Sequence, residues 1–109
     1  MKRILNRKLE IQETQKVRLP IGSRLLSAVD KFGDLVLYAE CPIEVDSFDI
    51  ITNEHEDIEI RIYGVYHNCP NYVGEFLNTV VMHGGAQVWQ VYYVPNLHNT
   101  GAGIPGLPG

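Results

Sequence analysis

Over much of this chain, apolar and polar residues alternate with a period of two, the spacing that places one face of a β-strand on a core and the other in water. Ile58 to Tyr66 shows it most cleanly: Ile58, Ile60 and Ile62 point one way, and Glu59, Arg61 and Tyr63 the other. Gly64 then marks a place for the strand to bend or bulge. Leu35 to Cys41 repeats the pattern, with Leu35, Leu37 and Ala39 on one face and Val36, Tyr38 and Glu40 on the other. Arg24 to Asp30 is its expected partner, joined through a hairpin bend at Lys31-Phe32-Gly33-Asp34. The most apolar stretch, Phe76 to Val94, holds two β-rich runs that meet at His83-Gly84-Gly85, where the glycines supply positive φ angles. Its second run carries Trp89, the single tryptophan, and this hairpin is expected at the centre of the core.

Lys8 to Leu19 alternates less regularly and reads as a half-buried strand interrupted around Glu13-Thr14-Gln15, with a turn at Pro20-Ile21-Gly22-Ser23. Pro42 to Asp57 is an acidic excursion, within which Phe48-Asp49-Ile50-Ile51 is a candidate short edge strand. His67 to Gly74 is a loop, and Asn71 to Asn78 has room for one helical turn at most. These elements predict a mainly β fold: a small antiparallel β-sandwich or partly open barrel of five to six strands, with little or no helix. Residues 1–94 form the single domain, and 95–109 are read as a flexible Gly/Pro-rich tail.

Composition narrows the function only slightly. At 109 residues, 45% hydrophobic and 20% charged, the chain is ordinary for one globular domain. A net charge of −4 argues against direct nucleic-acid binding, which usually shows as a basic excess. Lys2, Arg3, Arg7 and Lys8 run against that balance; they read as a solvated end, or alternatively as an arm for an anion or nucleic acid. No apolar run has the length of a signal peptide core or a membrane span, so a cytoplasmic protein with reduced thiols at Cys41 and Cys69 is expected.

Catalytic or metal chemistry finds little support. His67, His83, Cys41 and Cys69 are zinc-type ligands, but the H-x-C spacing and the lack of a C-x-x-C pair do not favour a site. A Cys69–His67 nucleophile pair has no evident third group to orient it. Neither phosphate-cradling glycine loop occurs, and the acidic stretch lacks calcium-loop spacing. No enzyme, cofactor or metal is therefore expected. What remains is a polar-aromatic strip of Arg61, Tyr63, Tyr66 and His67, with Arg24 and Trp89 completing the candidate binding residues. Tyr, Trp and Arg are the types enriched at interface hot spots; the alternative is that these are ordinary solvent-facing strand residues.

Three blocks carry a resemblance to a known family: Leu9-Glu10-Ile11 with Gln15 to Ser27; Arg61-Ile62-Tyr63-Gly64 with His67; and Tyr72-Val73-Gly74 with Thr79-Val80-Val81 and Gly84 to Trp89. Together they resemble a family of small proteins of unknown function found in phages and prophages. The resemblance implies viral origin and compact β structure, and it supplies no activity. Where relatives often carry histidine after the aromatic residue of the last strand, this chain has Gln90. Three readings follow. The first is an accessory protein in the host cytoplasm that binds a host protein or complex and inhibits antiviral defence. The second is a binder of a small ligand such as a nucleotide signal, with Arg24, Arg61, Tyr63 and His67 lining its pocket. The third is a metal- or thiol-dependent hydrolase. Homodimerisation through an edge at Tyr92-Tyr93-Val94 is compatible with all three.

Overall fold

The computed structural model describes residues 1–96; residues 97–109, which hold most of the Gly/Pro-rich tail, lie outside the described residues. Among the described residues there are seven strands, rather than the expected five to six: β1 (Lys2–Leu9), β2 (Thr14–Pro20), β3 (Arg24–Lys31), β4 (Asp34–Pro42), β5 (His55–Gly64), β6 (Glu75–Met82) and β7 (Gln87–Val94). They form two antiparallel sheets, one in the order β1-β4-β3 and the other in the order β2-β5-β7-β6. The architecture is the expected small β-sandwich, without closure into a barrel.

The alternation of the sequence sets which face each strand buries. Leu35, Leu37, Ala39 and Cys41 of β4 face Ile58, Ile60 and Ile62 of β5 across a core completed by Leu9, Val17, Leu19, Val80, Met82 and Val91. Ile60 is 0% exposed. Burying a side chain of this size is worth about 1.5–3 kcal/mol, so the two middle strands anchor the fold. The β6–β7 hairpin forms as predicted, but only β7 is interior; β6 is an edge whose Phe76 and Val81 are exposed.

Several expectations change. The basic start is not a loose end: Lys2–Leu9 pairs along its whole length with β4, from Lys2 opposite Pro42 to Leu9 opposite Leu35. Lys8 to Leu19 is correspondingly two strands in different sheets, because Gln15 closes the corner by exchanging two hydrogen bonds with the backbone of Glu10. Finally, Tyr92-Tyr93-Val94 offers no free edge, since β7 lies between β5 and β6. The segment Phe48 to Ile51 is likewise not a strand; one isolated bridge, Val45 to Ile51, spans it. Asn71 to Asn78 contains no helical turn, and β6 begins at Glu75.

The sheets are stitched where β3 passes β6. The side-chain amide of Asn78 accepts from the Ala28 N–H and donates to the Ala28 carbonyl, both at 2.8 Å. One amide thus replaces a rung of strand pairing between two edges. It does so beside a one-residue bulge in β6 between Phe76 and Asn78, which re-aims the side chain.

Candidate binding site at the turn end

Several connections gather at one end of the sandwich. The β1–β2 connection reaches β5 through the Ile62 N–H, which donates to the Glu13 carbonyl at 3.1 Å. Past Gly64, the Val65 N–H donates to the Val88 carbonyl at 3.3 Å, which holds the exit of β5 against β7. The β3–β4 turn lies near the β6–β7 turn: a Cβ on Gly33 would stand 3.9 Å from His83 Cε1.

Three of these turns carry bulky residues in the left-handed backbone region; in the β6–β7 turn it is the exposed His83, at φ +53°. The His67 N–H donates to the Gly64 carbonyl at 3.1 Å, closing a turn in which Tyr66 has φ +69°. That position normally takes Gly or Asn, because a Cβ there crowds the backbone. Tyr66 is nevertheless 100% exposed, so no packing compensates. In the β3–β4 hairpin, Phe32 and Gly33 have φ +53° and +88°. Two-residue loops of this kind prefer Asn-Gly. The Asp30 carboxylate caps the Gly33 N–H at 2.9 Å, yet Phe32 itself is 98% exposed.

His67 lies against Trp89, with ring centroids 6.4 Å apart and planes tilted by 58°. The missing side chain of Gly64 makes this approach possible. A Cβ there would come 2.6 Å from His67 Nδ1 and 3.2 Å from Trp89 Cζ3. The buried Trp89 Nε1–H has no hydrogen-bond partner among the described residues. Two clefts adjoin this ring pair. One of about 250 Å³ runs between Gln12, Glu13, Tyr63 and Asn68, and the other, of about 360 Å³, runs along Tyr66, Gln87 and Val88.

The remaining sequence candidates are placed differently. Tyr63 borders the first cleft but is only 6% exposed, with its ring edge-on to Tyr92 at 6.1 Å. Arg61 is occupied: its Nε donates to Glu59 Oε2 at 2.6 Å and its Nη1 to the Tyr72 carbonyl at 3.3 Å. The bond to Glu59 holds the guanidinium above its already high ordinary pKa. Arg24 is on the other sheet, 3.9 Å from the carboxylate of Glu40, which Lys2 approaches to 3.0 Å. The hydrogen bond and charge of Lys2, with a smaller contribution from Arg24, hold Glu40 below the usual carboxylate range. The proposed strip therefore divides: Tyr66, His67 and Trp89 come together at the turn end with Tyr63 beside them, Arg61 is ion-paired further along β5, and Arg24 is remote.

The potential zinc and thiol residues are dispersed. Cys41 is buried within β4, Cys69 is exposed on a loop, and both are free thiols. Among the described residues no group of three His, Cys, Asp or Glu is arranged to hold a metal ion. No helix among them is long and apolar enough to cross a membrane. Phe32 is the site residue the sequence reading passed over, although an aromatic residue before glycine in a two-residue hairpin loop is itself an anomaly.

Fold and site together define a small antiparallel β-sandwich that presents aromatic side chains and shallow clefts on its turns. Over residues 1–102 the chain matches the family described as Domain of unknown function (DUF7352), and it belongs to that family. Neither the comparison with curated proteins nor that with solved structures finds a match.

Proposed function

We propose that this protein is a non-enzymatic binding protein that docks its turn end on another macromolecule, in the manner of a phage accessory factor acting on a host defence protein. The observation that carries the reading is Tyr66: a fully exposed ring on a residue at φ +69°. A non-glycine residue in that region costs of order 1–3 kcal/mol, and strain of this kind concentrates at ligand clamps and switch regions. Folding gains nothing from the exposed ring, whereas an interface would: Tyr is a hot-spot residue, and His67 and Trp89 lie beside it. Phe32, in the same end of the sandwich, repeats the arrangement.

The test is affinity capture from bacterial lysate with wild-type and Tyr66→Gly baits. The wild type should retain one partner in stoichiometric amount, and the variant should lose it while melting no lower. Wild-type bait that comes back bare across several bacterial hosts would remove the macromolecular reading.

A second reading has one supporting observation, the clefts of about 250 and 360 Å³ that adjoin His67 and Trp89. They lie at or below the lower end of small-ligand pockets and would suit a planar base stacked on the indole. Equilibrium dialysis against a nucleotide panel decides it: depletion of one nucleotide favours this reading, and none dismisses it.

A further inference from the structure

The cations of this acidic chain are gathered on one side. Of its nine Lys and Arg residues, Lys2, Arg3, Arg7 and Lys8 lie on β1, and Lys16 and Arg18 on β2. These strands are the free edges of their respective sheets. They are joined where Arg7 Nε donates to the Arg18 carbonyl at 3.3 Å. Neither strand contains an acidic residue. Among the described residues Lys2 and Lys8 are ion-paired, while Arg3, Arg7, Lys16 and Arg18 are not. One long side of the sandwich is thus a pair of strand edges free on their outer side that carry six Lys and Arg and no carboxylate of their own, with Glu59 and Asp57 of β5 opposite Lys16 and Arg18.

The opposite charge sits on a projecting hairpin. From Pro42 to Ile60 there is no Lys or Arg, and Glu44, Asp46, Asp49 and Glu54 occupy its loop. This loop is well built. Asp46 Oδ1 accepts from the N–H groups of Phe48 and Ile50 at 2.8 and 3.0 Å, and the Asn53 side chain ties the Glu44 N–H to the Pro42 carbonyl. Yet it holds outward Val45, Ile50, Ile51 and Phe48, the last 81% exposed. Ordering backbone costs about 1–2 kcal/mol per residue, and a loop needed only as a connection has no use for four large apolar side chains in water. An apolar tip rimmed by one sign of charge is the composition of a docking element.

We infer that the occupant of this tip is a second copy of the chain: the acidic-apolar hairpin of each protomer lies on the basic β1/β2 edge of the other. Charge complementarity selects that edge. Direct β1–β1 pairing would bring Lys and Arg of two copies together, and like charges facing across strands destabilise. The two surfaces also begin side by side, since the Ile43 N–H donates to the Met1 carbonyl at 2.8 Å and Lys2 lies opposite Pro42. A two-fold axis between copies would therefore bring both hairpins onto both edges at once, the self-complementary contact of a closed dimer. This pairing leaves the turn end free and does not depend on the function proposed for it.

Sedimentation velocity over a concentration series tests the inference, using two charge-reversal variants at exposed positions. Arg3→Glu/Lys16→Glu turns the edge acidic, and Glu44→Lys/Glu54→Lys turns the hairpin basic. Wild type should sediment as a dimer whose dissociation increases with salt, and each variant alone should be monomeric. An equimolar mixture of the two should regain the dimer, because both contacts are then attractive. Phe48→Ser should weaken the wild-type dimer at least about tenfold, the scale of a buried aromatic anchor. A wild type that stays monomeric at every concentration, variants that dimerise unchanged, or a mixture that remains monomeric would each overturn it.

Discussion

Asn78, on β6, and Tyr66, in the turn between β5 and β6, depart from regular backbone and side-chain preferences in opposite ways. Asn78 is a polar residue on the inner side of an edge strand, ordinarily a liability, but both ends of its amide are satisfied by Ala28 at 2.8 Å. Its irregularity serves the fold, because it closes the seam between two sheets. Tyr66 is a large aromatic residue held at φ +69° with its ring entirely in water. Its irregularity returns nothing to the fold. The contrast separates departures that stability explains from those that need another account, and it places the second kind at the turn end.

The comparison can be tested in order of expected effect. Ile60→Ala calibrates the core that the seam encloses; it should cost about 2–5 kcal/mol in urea unfolding, as truncation of a fully buried side chain does. Asn78→Ala should cost about 1–3 kcal/mol, because it strands the Ala28 N–H and carbonyl. A neutral result would make the stitch dispensable and erase one side of the contrast. At the turn end the sign should reverse. Tyr66→Gly and Phe32→Asn should each leave stability unchanged or raise it by up to about 1 kcal/mol, by relieving left-handed strain. The smallest effect concerns Glu40, away from both regions. Its pKa is lowered in the folded state by Lys2 and, to a smaller extent, by Arg24. The stabilisation is then fully present above the ordinary carboxylate pKa and disappears as pH falls through the lower folded value. Glu40→Gln should therefore lower stability slightly at neutral pH and leave it nearly unchanged below the folded pKa, which flattens the acid limb of the profile.

Much of the fold was legible because it rests on period-two alternation. Ile58, Ile60 and Ile62 are buried as a set, and so are Leu35, Leu37 and Ala39, each trio on one face of its strand as read. The two-residue bend at Phe32-Gly33 and the glycine turn after His83 also fall where turn chemistry places them. β1 was hidden for a physical reason: an edge strand exposes most of its side chains, so Lys2 to Lys8 has the composition of a solvated end while its backbone pairs with β4 along its whole length. The Asn78 stitch was invisible because it depends on a bulge that no local pattern announces. For the site, sequence could nominate Tyr66, His67 and Trp89 by residue type. It could not show that Gly64 lets the His67 and Trp89 rings meet, or that Glu59 occupies Arg61, since both depend on turn geometry and rotamers. Arg24 was grouped with them by charge alone, and the sheet order separates it.

The central claim is that the turn end keeps its exposed aromatics for binding at some expense to folding. The most direct measurement is made on the double variant Phe32→Asn/Tyr66→Gly, comparing its urea midpoint and its retention of the captured partner with those of wild type. The variant should have a midpoint equal to or above wild type together with lost retention. A lower midpoint with retention intact would show that these residues serve the fold, and would contradict it.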